Sequence, residues 1–169
     1  MDPCIFLDRD GVLNKEIGDY AFRPEDFIIP DEVPSSLKLL KQNGFRLVVI
    51  TNQAGISRGL FTRQQMEECH AILNERTGNL LDEIYYSPWH PEISESLSRK
   101  PDTLLFEKAI AKFSIDTSRS WMVGDAVRDM IPAKKLGIQT IFIGNSAAYP
   151  SADAYAKDLA EAVNIILNH

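Results

Sequence analysis

Short apolar runs alternate along the chain with segments whose apolar residues recur every three or four positions. The runs are Ile5 to Leu7, Leu47 to Ile50, Ile84 to Tyr86, Trp121 to Val123 and Thr140 to Ile143. Each is too short for a helix and too uniformly apolar for a half-solvated strand, so each reads as a buried strand. Between them, Val33, Leu37 and Leu40 share one face of a predicted helix that Gly44 stops. Thr62 to Gln65 fits a capping box, and Met66, Cys69 and Leu73 form the inner stripe of a second helix ending at Gly78. Phe106, Ile110 and Phe113 mark a third, and a fourth is expected to begin after Asp129 and to close at Gly137. Leu159, Ala162, Val163, Ile166 and Leu167 give a C-terminal helix. Strands alternating with helices predict a single α/β domain over residues 1–169, a Rossmann-like doubly wound parallel sheet flanked by helices.

Two stretches lack a period. Residues 14–30 have none that persists, and residues 87–98 are rich in Pro, Ser and Glu. Both follow presumed strands, and ligands of open α/β sheets sit beyond the carboxyl ends of strands. These loops are therefore expected to border a ligand. The chain between Asp10 and Thr51, and between Thr51 and Lys100, is filled by the expected elements and these loops. No room remains for a separate cap domain.

Composition narrows the function. A net charge of −6 disfavours a nucleic-acid partner, which rewards clustered Lys and Arg. Two cysteines, Cys4 and Cys69, are too few for a disulfide framework or a cysteine-rich zinc site. The N-terminus has no basic leader, and no apolar run approaches the ~20 residues of a membrane helix. The expectation is a cytoplasmic monomer acting on a small molecule, with no membrane partner.

Four polar clusters follow strands. In Asp8-Arg9-Asp10-Gly11 the two acids point the same way from extended chain, and Gly11 permits a sharp turn. Carboxylates this close want a divalent cation or a shared proton, although Asp and Gly also make ordinary turns. Thr51-Asn52-Gln53 offers a hydroxyl and two amides to phosphate oxygens, and equally suits a helix cap. Lys100 in Arg99-Lys100-Pro101 offers a point charge for a phosphoryl group, and Arg99 a fork for a second anion. In Gly124-Asp125-Ala126-Val127-Arg128-Asp129, Asp125 and Asp129 are hard oxygen donors suited to Mg²⁺, with Asp129 also a candidate N-cap. Carboxylates alone would repel a phosphate dianion, and Mg²⁺ with Lys100 would offset that charge.

In these residues the chain resembles the haloacid dehalogenase-like superfamily, whose four motifs the clusters match in order. Phe-Leu-Asp-Arg-Asp-Gly at 6–11, Thr-Asn-Gln-Ala-Gly-Ile-Ser-Arg-Gly at 51–59, Ile-Tyr-Tyr at 84–86, Arg-Lys-Pro at 99–101 and Met-Val-Gly-Asp at 122–125 are similar to the D-glycero-D-manno-heptose 1,7-bisphosphate phosphatases. The histidinol-phosphate phosphatase group shares the start and is less similar through 51–59. The resemblance implies Asp8 as a nucleophile that forms an aspartyl-phosphate and Asp10 as acid, then base. It implies Thr51 and Lys100 on the phosphoryl group. Mg²⁺ would be held by Asp8, Asp125 and the backbone carbonyl of Asp10, with Asp129 acting on the metal from behind these ligands. Asn52, Gln53, Arg58 and Arg99 are expected to bind substrate, the two arginines at a second phosphate.

The resemblance has one departure. The heptose group carries a zinc loop with Cys-Pro-His before the basic pair and Cys-x-Cys beside it. Here Ser87-Pro88-Trp89 and Ser96-Leu97-Ser98 stand there, and hydroxyls and an indole are not zinc ligands. No structural zinc is expected, and the loop must be held by packing, with Trp89 the candidate anchor, or move. The altered loop keeps histidinol phosphate, or a broader range of phosphomonoesters, as the alternative substrate.

Overall fold

A computed structural model describes residues 1–169. Six parallel strands form one sheet in the order β3-β2-β1-β4-β5-β6. They are β1 (Cys4–Leu7), β2 (Arg46–Asn52), β3 (Glu83–Ser87), β4 (Trp121–Gly124), β5 (Gln139–Ile143) and β6 (Ala154–Ala156). The helices are α1 (Glu32–Gln42), α2 (Arg63–Arg76), α3 (Leu104–Phe113), α4 (Val127–Lys135) and α5 (Leu159–Asn168). The segment from β1 to α1 carries only a 3-10 turn at Pro24–Asp26, so no cap layer is inserted there.

Strand alternation sorts the core into two layers. Ile5, Leu7, Leu47, Val49, Trp121 and Val123 face α1, α2 and α5. Cys4, Phe6, Val48, Ile50 and Met122 face α3 and α4. A sheet covered on both faces needs apolar residues at every position, which is why its strands read as unbroken apolar runs. Leu7 is in register with Val49 and Val123, so the chain leaves β1 between two strands that both run on past its end, β2 to Asn52 and β4 to Gly124. The polar clusters after β1, β2 and β4 consequently meet at one edge.

Two expectations need correction. The chain beyond Ile143 is more than a helix, because Ala154–Ala156 adds β6 alongside β5. Asp153 secures this strand by accepting from the Thr140 amide at 2.8 Å and hydroxyl at 2.7 Å. Helix α4 begins at Val127, two residues ahead of Asp129. Asp129 lies inside its first turn and accepts from the Ala126 amide at 3.1 Å. A carboxylate at the third helical position can accept from the amide that precedes the helix, so this end is closed from within.

Candidate active site

Asp8 follows β1 and is buried beside β4, its amide donating to the Val123 carbonyl at 3.0 Å. The Lys100 ammonium donates to Asp8 Oδ1 at 2.8 Å and to the Ile50 carbonyl at 2.6 Å. It also pairs with Asp129 Oδ1 at 2.7 Å. All three charges are buried, so they stand only because each meets an opposite charge or a dipole. The backbone of Lys100 is itself fixed. Its amide donates to Asn52 Oδ1 and its carbonyl accepts from Asn52 Nδ2, both at 3.1 Å. Asn52, expected to bind substrate, thus spends both ends of its amide on Lys100 while lining the cleft.

Asp8, Asp125 and Asp129 each offer an oxygen within 4.8 Å of the others. Burial, then Asp129, pushes the Asp8 carboxyl up to about 7 against the opposing pull of Lys100. Burial, then Asp129, raises Asp125 to about 6, with Arg128 acting the other way. Burial would lower the Lys100 ammonium, but Asp129 and Asp8 together hold it above its usual value. Carboxyls crowded and raised in this way suit a hard divalent cation, which would relieve their repulsion. Two glycines make the crowding possible. Gly11 has φ +83°, and a Cβ there would overlap the Asp125 carboxylate. A Cβ on Gly124 would likewise strike the Asp129 side chain.

Asp10 shares the cleft with Asp8, as their spacing predicts. The cleft encloses about 320 Å³ and takes Glu16, Asp19 and Tyr20 from the 14–30 loop and Thr51, Asn52 and Gln53 from the end of β2. Thr51 accepts from Gln53 Nε2 at 2.9 Å, and Gln53 Oε1 is buried without a partner. The 14–30 loop is pinned by aromatic contact, Phe22 stacking on Phe61 with ring centroids 5.0 Å apart.

Arg58 and Arg99 do not line this cleft. Arg58 reaches the Tyr20 hydroxyl at 3.5 Å on the rim. Arg99 donates to the Trp89 carbonyl at 3.1 Å and faces a neighbouring hollow walled by residues 91–102. The basic side chain that does line the cleft is Arg128, which was not expected to bind substrate. Its signal was its place one residue before Asp129, in the helical turn that follows Gly124. Nor is Trp89 a buried anchor of the 87–98 loop, since the residue is 40% exposed. Hydroxyls hold this loop instead. The Ser98 hydroxyl bonds that of Ser87 at 2.9 Å and that of Ser96 at 2.8 Å. The His90 amide donates to the Ser57 hydroxyl at 2.8 Å.

A parallel sheet with an Asp-x-Asp pair after its first strand, a buried lysine and a second acidic cluster after β4 defines a HAD-like phosphatase. Residues 97–163 match the HAD-hydrolase-like family model. A D-glycero-beta-D-manno-heptose-1,7-bisphosphate 7-phosphatase of Haemophilus ducreyi is 39% identical over 81% of this chain and 80% of its own. A D-glycero-D-manno-heptose-1,7-bisphosphate 7-phosphatase of Chlorobaculum tepidum is 37% identical over 82% of this chain and 77% of its own. The solved D,D-heptose 1,7-bisphosphate phosphatase of B. bronchiseptica, complexed with magnesium and phosphate, superposes with a TM-score of 0.88. It covers 98% of each chain at 24% identity, a likeness of fold. The chain belongs to the D-glycero-D-manno-heptose-1,7-bisphosphate 7-phosphatase family of HAD-like hydrolases, and so is a phosphoric monoester hydrolase.

Proposed function

We propose that this chain removes the C7 phosphate of D-glycero-D-manno-heptose 1,7-bisphosphate through an aspartyl-phosphate on Asp8. The observation that carries the chemistry is Asp8 itself, a buried carboxylate held at 2.8 Å from Lys100 at the floor of a cleft. The observation that carries the substrate is the similarity to heptose-1,7-bisphosphate 7-phosphatases at 35–40% identity.

An Asp8 oxygen attacks phosphorus while the bond from phosphorus to the C7 oxygen breaks. Asp10, as the acid, passes its proton to that oxygen, so the sugar leaves as an alcohol. Asp10, now a carboxylate, takes a proton from water as the water oxygen attacks the same phosphorus. The bond to Asp8 breaks, and phosphate leaves. Dividing the displacement into two steps lowers each barrier. Lys100, paired with Asp8, and the Thr51 hydroxyl, which lines the cleft, would hold the phosphoryl oxygens. Mg²⁺ would be held by Asp8, Asp125 and the Asp10 carbonyl, with Asp129 balancing Lys100 behind them. When bound, it supplies charge neutralisation for the phosphoryl group.

Gln53 and Asn52 would shape the near side of the substrate, with Arg58 on the rim and Arg99 beyond it to take its other phosphate. A second reading, histidinol-phosphate or broader phosphomonoester hydrolysis, is favoured by the position of these arginines outside the main cleft. Phosphate release with Mg²⁺ from the heptose bisphosphate, from histidinol phosphate and from simple sugar monophosphates tests both readings. Preference for the bisphosphate, with a 1-phosphate product and loss of activity in Asp8→Asn, is the expected result. Equal turnover of the monophosphates would favour the broader reading. Full activity in Asp8→Asn would remove the nucleophile.

A further inference from the structure

Arg9 lies between the two acids in sequence and is 1% exposed. Its side chain folds back onto its own neighbour. Nε lies 3.2 and 3.1 Å from the two Asp10 oxygens, and Nη2 donates to Oδ2 at 2.8 Å. The rest of the guanidinium is engaged as well. Nη2 also donates to the Ala21 carbonyl at 3.1 Å, and the ring of Phe27 lies 5.1 Å below the guanidinium carbon. Nη1 lies 3.2 Å from His70 Nε2. Because Arg9 can only donate, His70 must accept, and burial with the Arg9 charge pushes that ring down to about 3, so it stays neutral.

A buried guanidinium is costly unless a carboxylate meets it with good geometry. The carboxylate here is the group that moves the proton. Asn14 Nδ2 donates to Asp10 Oδ1 at 2.9 Å from another side. About a quarter of the Asp10 side chain, 27%, is left open, and Asp10 lines the cleft. We infer that Arg9, backed by His70, is a positioning residue that aims the Asp10 carboxyl at the leaving oxygen. The inference rests on the proposed phosphatase chemistry and adds to it the device that orients its acid.

The leaving group separates this role from a merely structural one. An alkyl oxygen needs the Asp10 proton as its bond to phosphorus breaks, whereas p-nitrophenolate departs without it. Arg9→Lys keeps the charge and loses the fork. In single turnovers with enzyme in excess, its rate of leaving-group release from the heptose bisphosphate should fall by about a hundredfold, the scale of general acid catalysis. Release of p-nitrophenol from p-nitrophenyl phosphate should stay near the wild-type rate. Equal losses on both substrates, or no loss on either, overturn the inference. If Arg9→Lys does not fold, the His70 variants decide. His70→Leu should lose more on the alkyl than on the aryl ester, and His70→Gln, which keeps an acceptor, should restore the alkyl rate; identical behaviour of the two overturns the inference. A wild type inactive on both esters, or an active Asp8→Asn, would instead sink the chemistry beneath it.

Discussion

Gly11 and Asp125 lie so close that a side chain at position 11 would displace the acid. Gly11→Ala must also hold φ near +83°, which costs on the order of 1 kcal/mol by itself. With Asp125 pushed aside, Mg²⁺ binding measured by calorimetry should weaken about tenfold, equivalent to ~1.4 kcal/mol. A variant binding Mg²⁺ as tightly as the wild type would place the ion away from Asp125. The raised acids make a second prediction. Asp8 moves from 3.8 to about 7 and Asp125 from 3.8 to about 6, so the metal-free fold keeps protons that the unfolded chain has released. Their contribution to stability is complete below about pH 4 and is lost as pH rises toward about 7. Mg²⁺ takes the deprotonated form, so its effect on Tm should grow across that window. Melts with EDTA and with Mg²⁺ at several pH values give the difference, and a flat difference would contradict this placement of the ion. Asp8, Asp10 and Asp125 were legible because they come just after β1 and β4, and Lys100 because Arg99-Lys100-Pro101 comes shortly before α3. The clamp of Arg9 on Asp10 was not, because it depends on a turn and on His70 from a distant helix.

At the scale of the element, the 87–98 loop shows how hydroxyls can do what packing was expected to do. Ser98 joins Ser87, at the end of β3, to Ser96 on the far side of the loop. Ser98→Ala removes the shared partner and should cost about 1 kcal/mol. A lower urea midpoint and faster proteolytic cleavage within residues 88–97 would show it, and unchanged cleavage would leave the loop's order to other contacts. The five longer strands and four of the helices announced themselves by uniform or periodic apolar residues, and α4 only by the residues near its ends. Strand β6 did not, because Ala-Tyr-Ala is too short and too weakly apolar to stand out, and its pairing is secured by Asp153 from outside the strand. The start of α4 was misplaced for a related reason. Ala126 has no capping oxygen of its own, so the cap comes from Asp129 within the helix.

Across the whole molecule, the C-terminal segment completes the layer that α1 and α2 begin. Leu159, Ala162, Val163 and Ile166 of α5 join Leu37, Leu40, Trp121 and Val123 in one core. Deleting residues 145–169 removes β6 and α5 together and uncovers that face. Circular dichroism during thermal denaturation should then show no cooperative transition, whereas a sharp one would mean that the remaining layers suffice. The layers also bring the ends of β1, β2 and β4 to one edge, with loops alone around it and no cap above. An enzyme with nothing to open before product departs has no gate for the solvent to hinder. Its turnover should follow the pace of bond-breaking, and thickening the medium with sucrose should slow it only where encounter itself is limiting.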